Sequence, residues 1–218
     1  MAYKLVIFDF DGTLADSFPW FLDVFNEVAD KFEFRKLHRS EVHAVRGLSS
    51  RRLLSHFGVP RWKLPGIARH MRRLAARDAG AIRLFDGVPE MLKSLSEHGV
   101  TLAIASSNTE ANIRAVLGPR NAALISHWAC GASLFGKRAK YRLIRKASGL
   151  QHAEILSIGD EVRDLEAARA EGLAFGAVSW GYTSIEALEA LQPEEVFDSL
   201  DEIVPRVTSP AEAGAASA

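Results

Sequence analysis

Two aspartates two residues apart, Asp9 and Asp11, close a short apolar run and are followed directly by Gly12. Carboxylates are the hard oxygen ligands that Mg²⁺ prefers, and a pair of them can also divide nucleophilic and acid–base work. Gly12 lets the chain turn tightly and bring backbone N–H groups close to an anion. Asp and Gly are also ordinary turn residues, so the pair gains weight only from what the chain supplies elsewhere. Three stretches supply it. Ser106-Ser107-Asn108 offers a hydroxyl that can donate to a phosphate oxygen, ahead of a helix start that favours an anion. Gly136-Lys137-Arg138-Ala139-Lys140 offers a cation just before a helix. Gly159-Asp160-Glu161-Val162-Arg163-Asp164 offers two more carboxylates four residues apart.

The elements that position these residues alternate. Residues 5–8, β-branched at Val6 and Ile7, read as a buried strand that stops at Asp9. Phe18, Phe21, Leu22, Phe25, Val28, Ala29 and Phe32 then recur three and four apart, an amphipathic helix with Pro19 near its start. Helical patterning continues over 38–57 around a break at 46–49, and again over 67–79. No strand is expected in 18–82, so this segment reads as an all-helical insertion. From Arg83 the pattern alternates between strand and helix. Strands are expected at 100–105, more weakly at 124–125 and 128–130, then at 154–158 and 173–179. Helices are expected from 86, ending at His98-Gly99, then at 109–117, 140–147, 164–170, 185–191 and 200–207. Such alternation implies a right-handed, doubly wound parallel sheet, an α/β fold of Rossmann-like type. In an open parallel sheet, ligands sit beyond the carboxyl ends of the strands. The expected division is a core of 1–17 and 83–207 with a helical cap of 18–82. The Ala/Ser/Gly/Pro/Glu tail of 208–218 has nothing to bury and reads as disordered.

The run Asp9-Phe10-Asp11-Gly12-Thr13 resembles the first signature of the haloacid dehalogenase superfamily of phosphohydrolases. The three later stretches, in order, resemble its remaining signatures, and a helical cap inserted after the first matches its layout. The resemblance implies a Mg²⁺-dependent phosphatase acting through an aspartyl-phosphate. Asp9 would be the nucleophile and Asp11 the general acid and base. Ser106 would bind the phosphoryl group with help from Ser107, Asn108 and the N–H groups near Gly12. A lysine would pair with Asp9 and the phosphate; Lys137, beside the glycine, is preferred, with Lys140 as the alternative. Asp9, Asp11, Asp160 and Asp164 would hold the metal. Arg46, at the break in the cap, is the candidate for reaching an anionic substrate. The second aspartate favours phosphate esters over halides or phosphonates. Similarity is nearest to the phosphoglycolate phosphatase-like branch, with a small phosphorylated metabolite, phosphoglycolate-like or a sugar phosphate, as substrate. A β-phosphoglucomutase-like phosphomutase shares the same signatures, and a non-catalytic phosphate-binding module is the more distant alternative.

Composition fits this picture. The 218 residues are 48% hydrophobic and 25% charged, ordinary for a soluble globular chain long enough for a core with an inserted module. No apolar stretch approaches the roughly 18 residues of a membrane helix, and a strand starting so close to Met1 leaves no room for a signal peptide. Cys130 is the sole cysteine, excluding an intrachain disulfide and suiting a cytoplasmic location. Net charge is zero, yet positions 31–83 carry 14 Lys/Arg against 3 Asp/Glu. A basic module over an acidic one points to an anionic ligand between them. No nucleic-acid-binding motif accompanies the charge. A monomer or homodimer is expected.

Overall fold

The computed structural model describes the backbone of residues 2–46, 48, 50–131 and 136–209, and the side chains there except at 46, 50 and 51. From the N-terminus, β1 (Leu5–Phe8) leads through a two-residue strand, β2 (Ala15–Asp16), into four helices. These are α1 (Phe18–Phe32), α2 (Val42–Arg46), α3 (Ser50–His56) and α4 (Leu64–Arg77). A second two-residue strand, β3 (Arg83–Leu84), opens the alternating part: α5 (Val88–Glu97), β4 (Thr101–Ala105), α6 (Glu110–Ala122), β5 (Ile125–Ala129) and α7 (Gly136–Ser148). It continues with β6 (Ile155–Gly159), α8 (Val162–Glu171), β7 (Ala174–Val178), α9 (Ile185–Glu189), β8 (Glu195–Phe197) and α10 (Ile203–Thr208).

Six strands form one sheet in the order β5-β4-β1-β6-β7-β8, every neighbouring pair parallel. β1 is central because all four of its residues are apolar and can be buried from both faces. Its side chains alternate with the period of two that a strand imposes. Val6 and Phe8 enter one core with Met91, Leu92 and Leu95 of α5 and Ile113 of α6. Leu5 and Ile7 enter the other with Tyr141 and Ile144 of α7 and Leu165 and Ala168 of α8. This is the Rossmann-like α/β core expected from the alternation. The segment between β2 and β3 is helical, with two small apolar clusters of its own, one around Val24, Val28 and Leu74 and one around Leu37, Val45 and Phe57.

Some boundaries depart from the sequence pattern for local reasons. The two weak strand fragments are one strand, β5. α7 starts at Gly136 rather than 140, since Lys137, Arg138 and Ala139 favour helix without contributing to an apolar stripe. α6 breaks at Gly118 (φ 72°) as expected, but the chain resumes helix at once, with Pro119 in a first-turn position that suits it. β8 was not expected after 179, because three residues at a sheet edge carry too little pattern. The β2–β3 pairing was not expected either. It clamps the chain's departure from the core to its return. Thr208 closes α10, its hydroxyl donating to the Val204 carbonyl at 2.8 Å. Residues 210–218 of the expected tail lie outside the described residues.

α7 and α8 are tied by one buried carboxylate. Glu171 accepts hydrogen bonds from Arg138, Arg142 and Arg145, which project from α7. Burial alone would raise its pKa, but the guanidiniums, Arg142 foremost, outweigh that and lower it. A carboxyl lowered in the folded chain stabilises it above the ordinary Glu range, and that contribution fades as pH falls through the lowered value. Glu171→Gln should therefore cost about 1–2 kcal/mol at pH 7, the arginines being partly exposed. In urea unfolding the penalty should shrink at pH 3.5; an equal penalty at both pH values would mean that the charge does not tie the helices.

Candidate active site

The register of the sheet gathers the chemistry. Phe8 pairs with both Ile104 and Ile158, so β1, β4 and β6 end almost level and the residues that follow them meet. Asp9 follows β1, Ser106 follows β4 and Asp160 follows β6. These strand ends lie where the doubly wound fold places its ligand crevice.

Asp9 is buried, its Oδ1 accepting from the Phe10 N–H at 2.8 Å. Its Oδ2 lies 2.7 Å from Lys137 Nζ, and the same ammonium lies 2.7 Å from Asp164 Oδ1. Starting α7 at Gly136 is what sets Lys137 in its first turn, aimed at both carboxylates. Lys140, one turn on, points elsewhere: its ammonium donates to the Ser106 and Gly131 carbonyls, the latter at 2.5 Å. It fixes the loop after β4 and touches neither aspartate. Ser106 is buried, its Oγ accepting from the Asn108 N–H at 3.1 Å. Asn108 is also buried, its Nδ2 donating to Asp11 Oδ2 at 3.2 Å, whereas Ser107 is exposed. The side chain of Arg46 lies outside the described residues.

Asp160 is held from several sides. Its Oδ1 accepts from Thr13 Oγ1 at 2.7 Å and its Oδ2 from the Tyr182 N–H at 2.8 Å. The backbone packs so closely here that a Cβ on Gly181 would collide with Asp160 Cβ, and a Cβ on Gly12 (φ +82°) would strike Tyr182 and Asp160. A Cβ on Gly159 would lie 2.7 Å from Asp164 Oδ2. Gly181 and Tyr182 were not singled out from the sequence; a Gly-Tyr pair after a strand carries no signal until the fold brings it against Asp160.

Electrostatics follow from this burial. Burial and then the Asp9 charge push Asp11 up to about 6, against hydrogen bonds from Ser17 and Asn108. Burial pushes Asp164 up to about 7 despite Lys137, and burial with the charges of Glu161, Asp9 and Asp164 raises Asp160 well above the usual range. Burial would raise Asp9 as well, but Lys137 and then Arg163 outweigh it and hold that carboxyl low. For Lys137 burial works against the charge, and Asp164 and Asp9 more than restore it.

Asp9, Asp160 and Asp164 each offer an oxygen within 4.8 Å of the others, the one such acidic group among the described residues. Asp164 Oδ2 is buried there without a hydrogen-bond donor among them. A hard divalent cation such as Mg²⁺ fits a set made only of carboxylate oxygens. The sequence pattern grouped Asp11 with these ligands, but its carboxylate lies outside the trio and is engaged by Asn108 and Ser17. A cavity of about 580 Å³ opens beside Asp11 and Asn108 and extends among α1, α3 and α4. The basic excess of the helical segment mostly faces away from it. Arg61, Arg69, Arg73 and Arg77 are exposed, and Arg72 is the one described basic side chain of that segment lining the cavity.

Comparison with known proteins agrees with this geometry. Residues 6–178 match the family model described as haloacid dehalogenase-like hydrolase. The phosphoglycolate phosphatase of Synechococcus elongatus is 32% identical over 206 residues, covering 94% of this chain and 97% of that one. The phosphoglycolate phosphatase of Pseudomonas savastanoi is 27% identical over 223 residues, covering 93% and 79%. Among solved structures, CbbY from Rhodobacter sphaeroides in complex with phosphate superposes with a TM-score of 0.71 at 22% identity, covering 93% of this chain and 96% of that one. The match extends through the core strands and the catalytic-type signatures on one continuous model, which makes this chain a member of the haloacid dehalogenase-like hydrolases, a phosphoric monoester hydrolase of the phosphoglycolate phosphatase-like branch.

Proposed function

We propose that this phosphatase hydrolyses a small phosphate monoester with Mg²⁺, through an aspartyl-phosphate formed on Asp9. The observation that carries the reading is the setting of Asp9. It is a carboxylate kept ionised at the end of the central strand, 2.7 Å from Lys137, with a second carboxyl of opposite tendency two residues on. An Asp9 oxygen attacks phosphorus as the bond to the ester oxygen breaks, and Asp11 gives that oxygen its proton. The ionised Asp11 then takes a proton from water as the water attacks the aspartyl-phosphate, which releases inorganic phosphate and restores Asp9. A carboxyl near 6 suits both halves of this exchange, since it can be held protonated or ionised near neutral pH. Asn108 orients Asp11, and the Ser106 hydroxyl and the N–H groups about Gly12 serve the phosphoryl oxygens. Lys137, rather than Lys140, supplies the cation between Asp9 and Asp164. Mg²⁺ held by Asp9, Asp160 and Asp164 would supply further positive charge against the phosphate in a reaction governed by positioning and electrostatics.

The helical segment of 18–82 acts as the cap that excludes water. The relatives' names make phosphoglycolate the reference ester, with sugar phosphates beside it.

Phosphate release from such a panel should require Mg²⁺ and stop with EDTA. Asp9→Asn should abolish it, and Asp11→Asn should lower kcat by about 10²–10⁴-fold. Release that survives Asp9→Asn would remove the covalent route. Isomerisation of a sugar 1-phosphate without release would replace the hydrolase with a mutase.

Gly181→Ala tests the metal cradle separately. The added methyl would lie 2.0 Å from Asp160 Cβ and must push Asp160 aside. The melting temperature without metal should therefore fall, and in the folded variant Mg²⁺ affinity measured by calorimetry should fall at least tenfold. Unchanged affinity would show that Asp160 does not need its present position to hold the ion.

A further inference from the structure

The cavity beside Asp11 is unlike a pocket for a two-carbon acid. Its base is polar, where Asp11, Asn108, Arg163 and Tyr182 meet the phosphate end of the site. Away from that base it is walled by Phe21, Phe25, Phe34, Leu53, Leu54 and Met71. Each of these six is apolar, and each retains accessible surface instead of being sealed in a core. The two apolar clusters of the cap contain only three fully buried residues apiece, ringed by partly buried ones. Rings continue from the base into the cap. Phe21 stands edge-on to Tyr182 at 5.6 Å, Phe25 edge-on to Phe21 at 5.5 Å, and Phe34 edge-on to Phe25 at 5.6 Å. Apolar surface lining a cavity of about 580 Å³ is stabilised by an apolar occupant.

We infer that the leaving group this enzyme recognises is the hydrocarbon body of an apolar alcohol, so that its substrates are phosphate monoesters of hydrophobic alcohols. The inference rests on the hydrolysis proposed above and narrows its substrate. Continuity decides the occupant: the cavity begins at the residue that protonates the leaving oxygen, so whatever is bonded to that oxygen projects into it. Among the described residues of the cap, Arg72 on α4 is the one cationic side chain that a carboxylate there would meet; Arg163 stands at the polar base, and the wall beyond it is hydrocarbon. An unpaired charge pressed against such a wall loses its hydration without compensation. A hydrocarbon chain gains from every methylene it buries.

The test is a series of n-alkyl phosphates from ethyl to hexyl, whose alcohols leave with nearly equal ease, assayed beside phosphoglycolate with Mg²⁺. KM should fall by about fourfold for each methylene buried while kcat stays nearly constant. Hexyl phosphate should exceed phosphoglycolate in kcat/KM. Leu54→Trp, which fills part of the cavity, should raise KM for hexyl phosphate at least tenfold more than for ethyl phosphate. A flat KM series, or a preference for phosphoglycolate over hexyl phosphate, overturns the inference while leaving the hydrolase reading intact. If no ester is hydrolysed, the hydrolase reading fails and calorimetric binding to the Mg²⁺-loaded protein decides. Hexyl phosphate binding at least tenfold tighter than ethyl phosphate supports an apolar pocket, and equal affinities overturn it.

Discussion

Three buried carboxylates share one small space, and the rest of the molecule is arranged around that crowding. Asp9, Asp160 and Asp164 repel one another in a place where water cannot screen them. One ammonium, from Lys137, reaches two of them directly. The remaining charge is met by the Thr13 hydroxyl and by the Phe10 and Tyr182 N–H groups, and a divalent cation held by the same oxygens would meet more of it. A site that binds a divalent metal and a phosphate dianion needs such an arrangement, because ions removed from water must be compensated by fixed partners. Every element that could let the carboxylates drift apart is pinned. Parallel pairing levels the three strand ends. Glu171 and its arginines hold α7 against α8, and with them the lysine against its aspartate. Gly181 and Gly12 allow backbone to close on Asp160 where any side chain would hold it away.

The same rigidity extends toward the cap. Asn112 donates through one amide nitrogen to Asn108 Oδ1 and to the Arg72 carbonyl of α4, both at 3.0 Å. Asn108 in turn donates to Asp11. A chain of three hydrogen bonds thus runs from a cap helix to the carboxyl proposed to protonate the leaving group. The contact between α4 and Asp11 is made through neutral amides instead of through the exposed arginines. The β2–β3 pair joins the two chain segments that enter and leave the cap.

Much of this was legible in the sequence because it follows from strong local signals. The run Leu5–Phe8 admits only a strand buried on both faces, and the first residues able to end it are the functional ones. Gly-Asp-Glu-Val-Arg-Asp puts one carboxylate just past a strand end and the other in the first turn of the helix that follows. Lys137 and Lys140 could not be separated by spacing, since they sit one turn apart near the start of α7 and differ in which neighbours they meet. The carboxylate of Asp11 lies outside the trio that could hold a metal, a placement the sequence does not carry because the turn after Phe10 decides where each carboxylate points. Gly181 and Tyr182 were silent for the same reason. Their importance is a contact with Asp160, more than twenty residues upstream, made only once β7 has paired beside β6.

The cap shows the limit most clearly. Phe18, Phe21 and Phe25 recur like the buried stripe of a helix, and periodicity cannot tell an apolar residue that faces a packed core from one that faces a cavity. Charge was equally ambiguous. Fourteen basic residues in one segment look like an anion funnel, yet the side chains described on α4 place Arg69, Arg73 and Arg77 in solvent and leave Arg72 alone at the cavity wall. Solvated cations across a Debye length of about 8 Å or more exert little force on a bound ligand, whereas apolar walls act at contact. They can still draw a phosphate dianion toward the cap from a distance at low salt. On the substrate reading inferred above, the two patterns would serve different stages: the outer charge would bias the approach of any phosphate ester, and the inner wall would select among those that arrive.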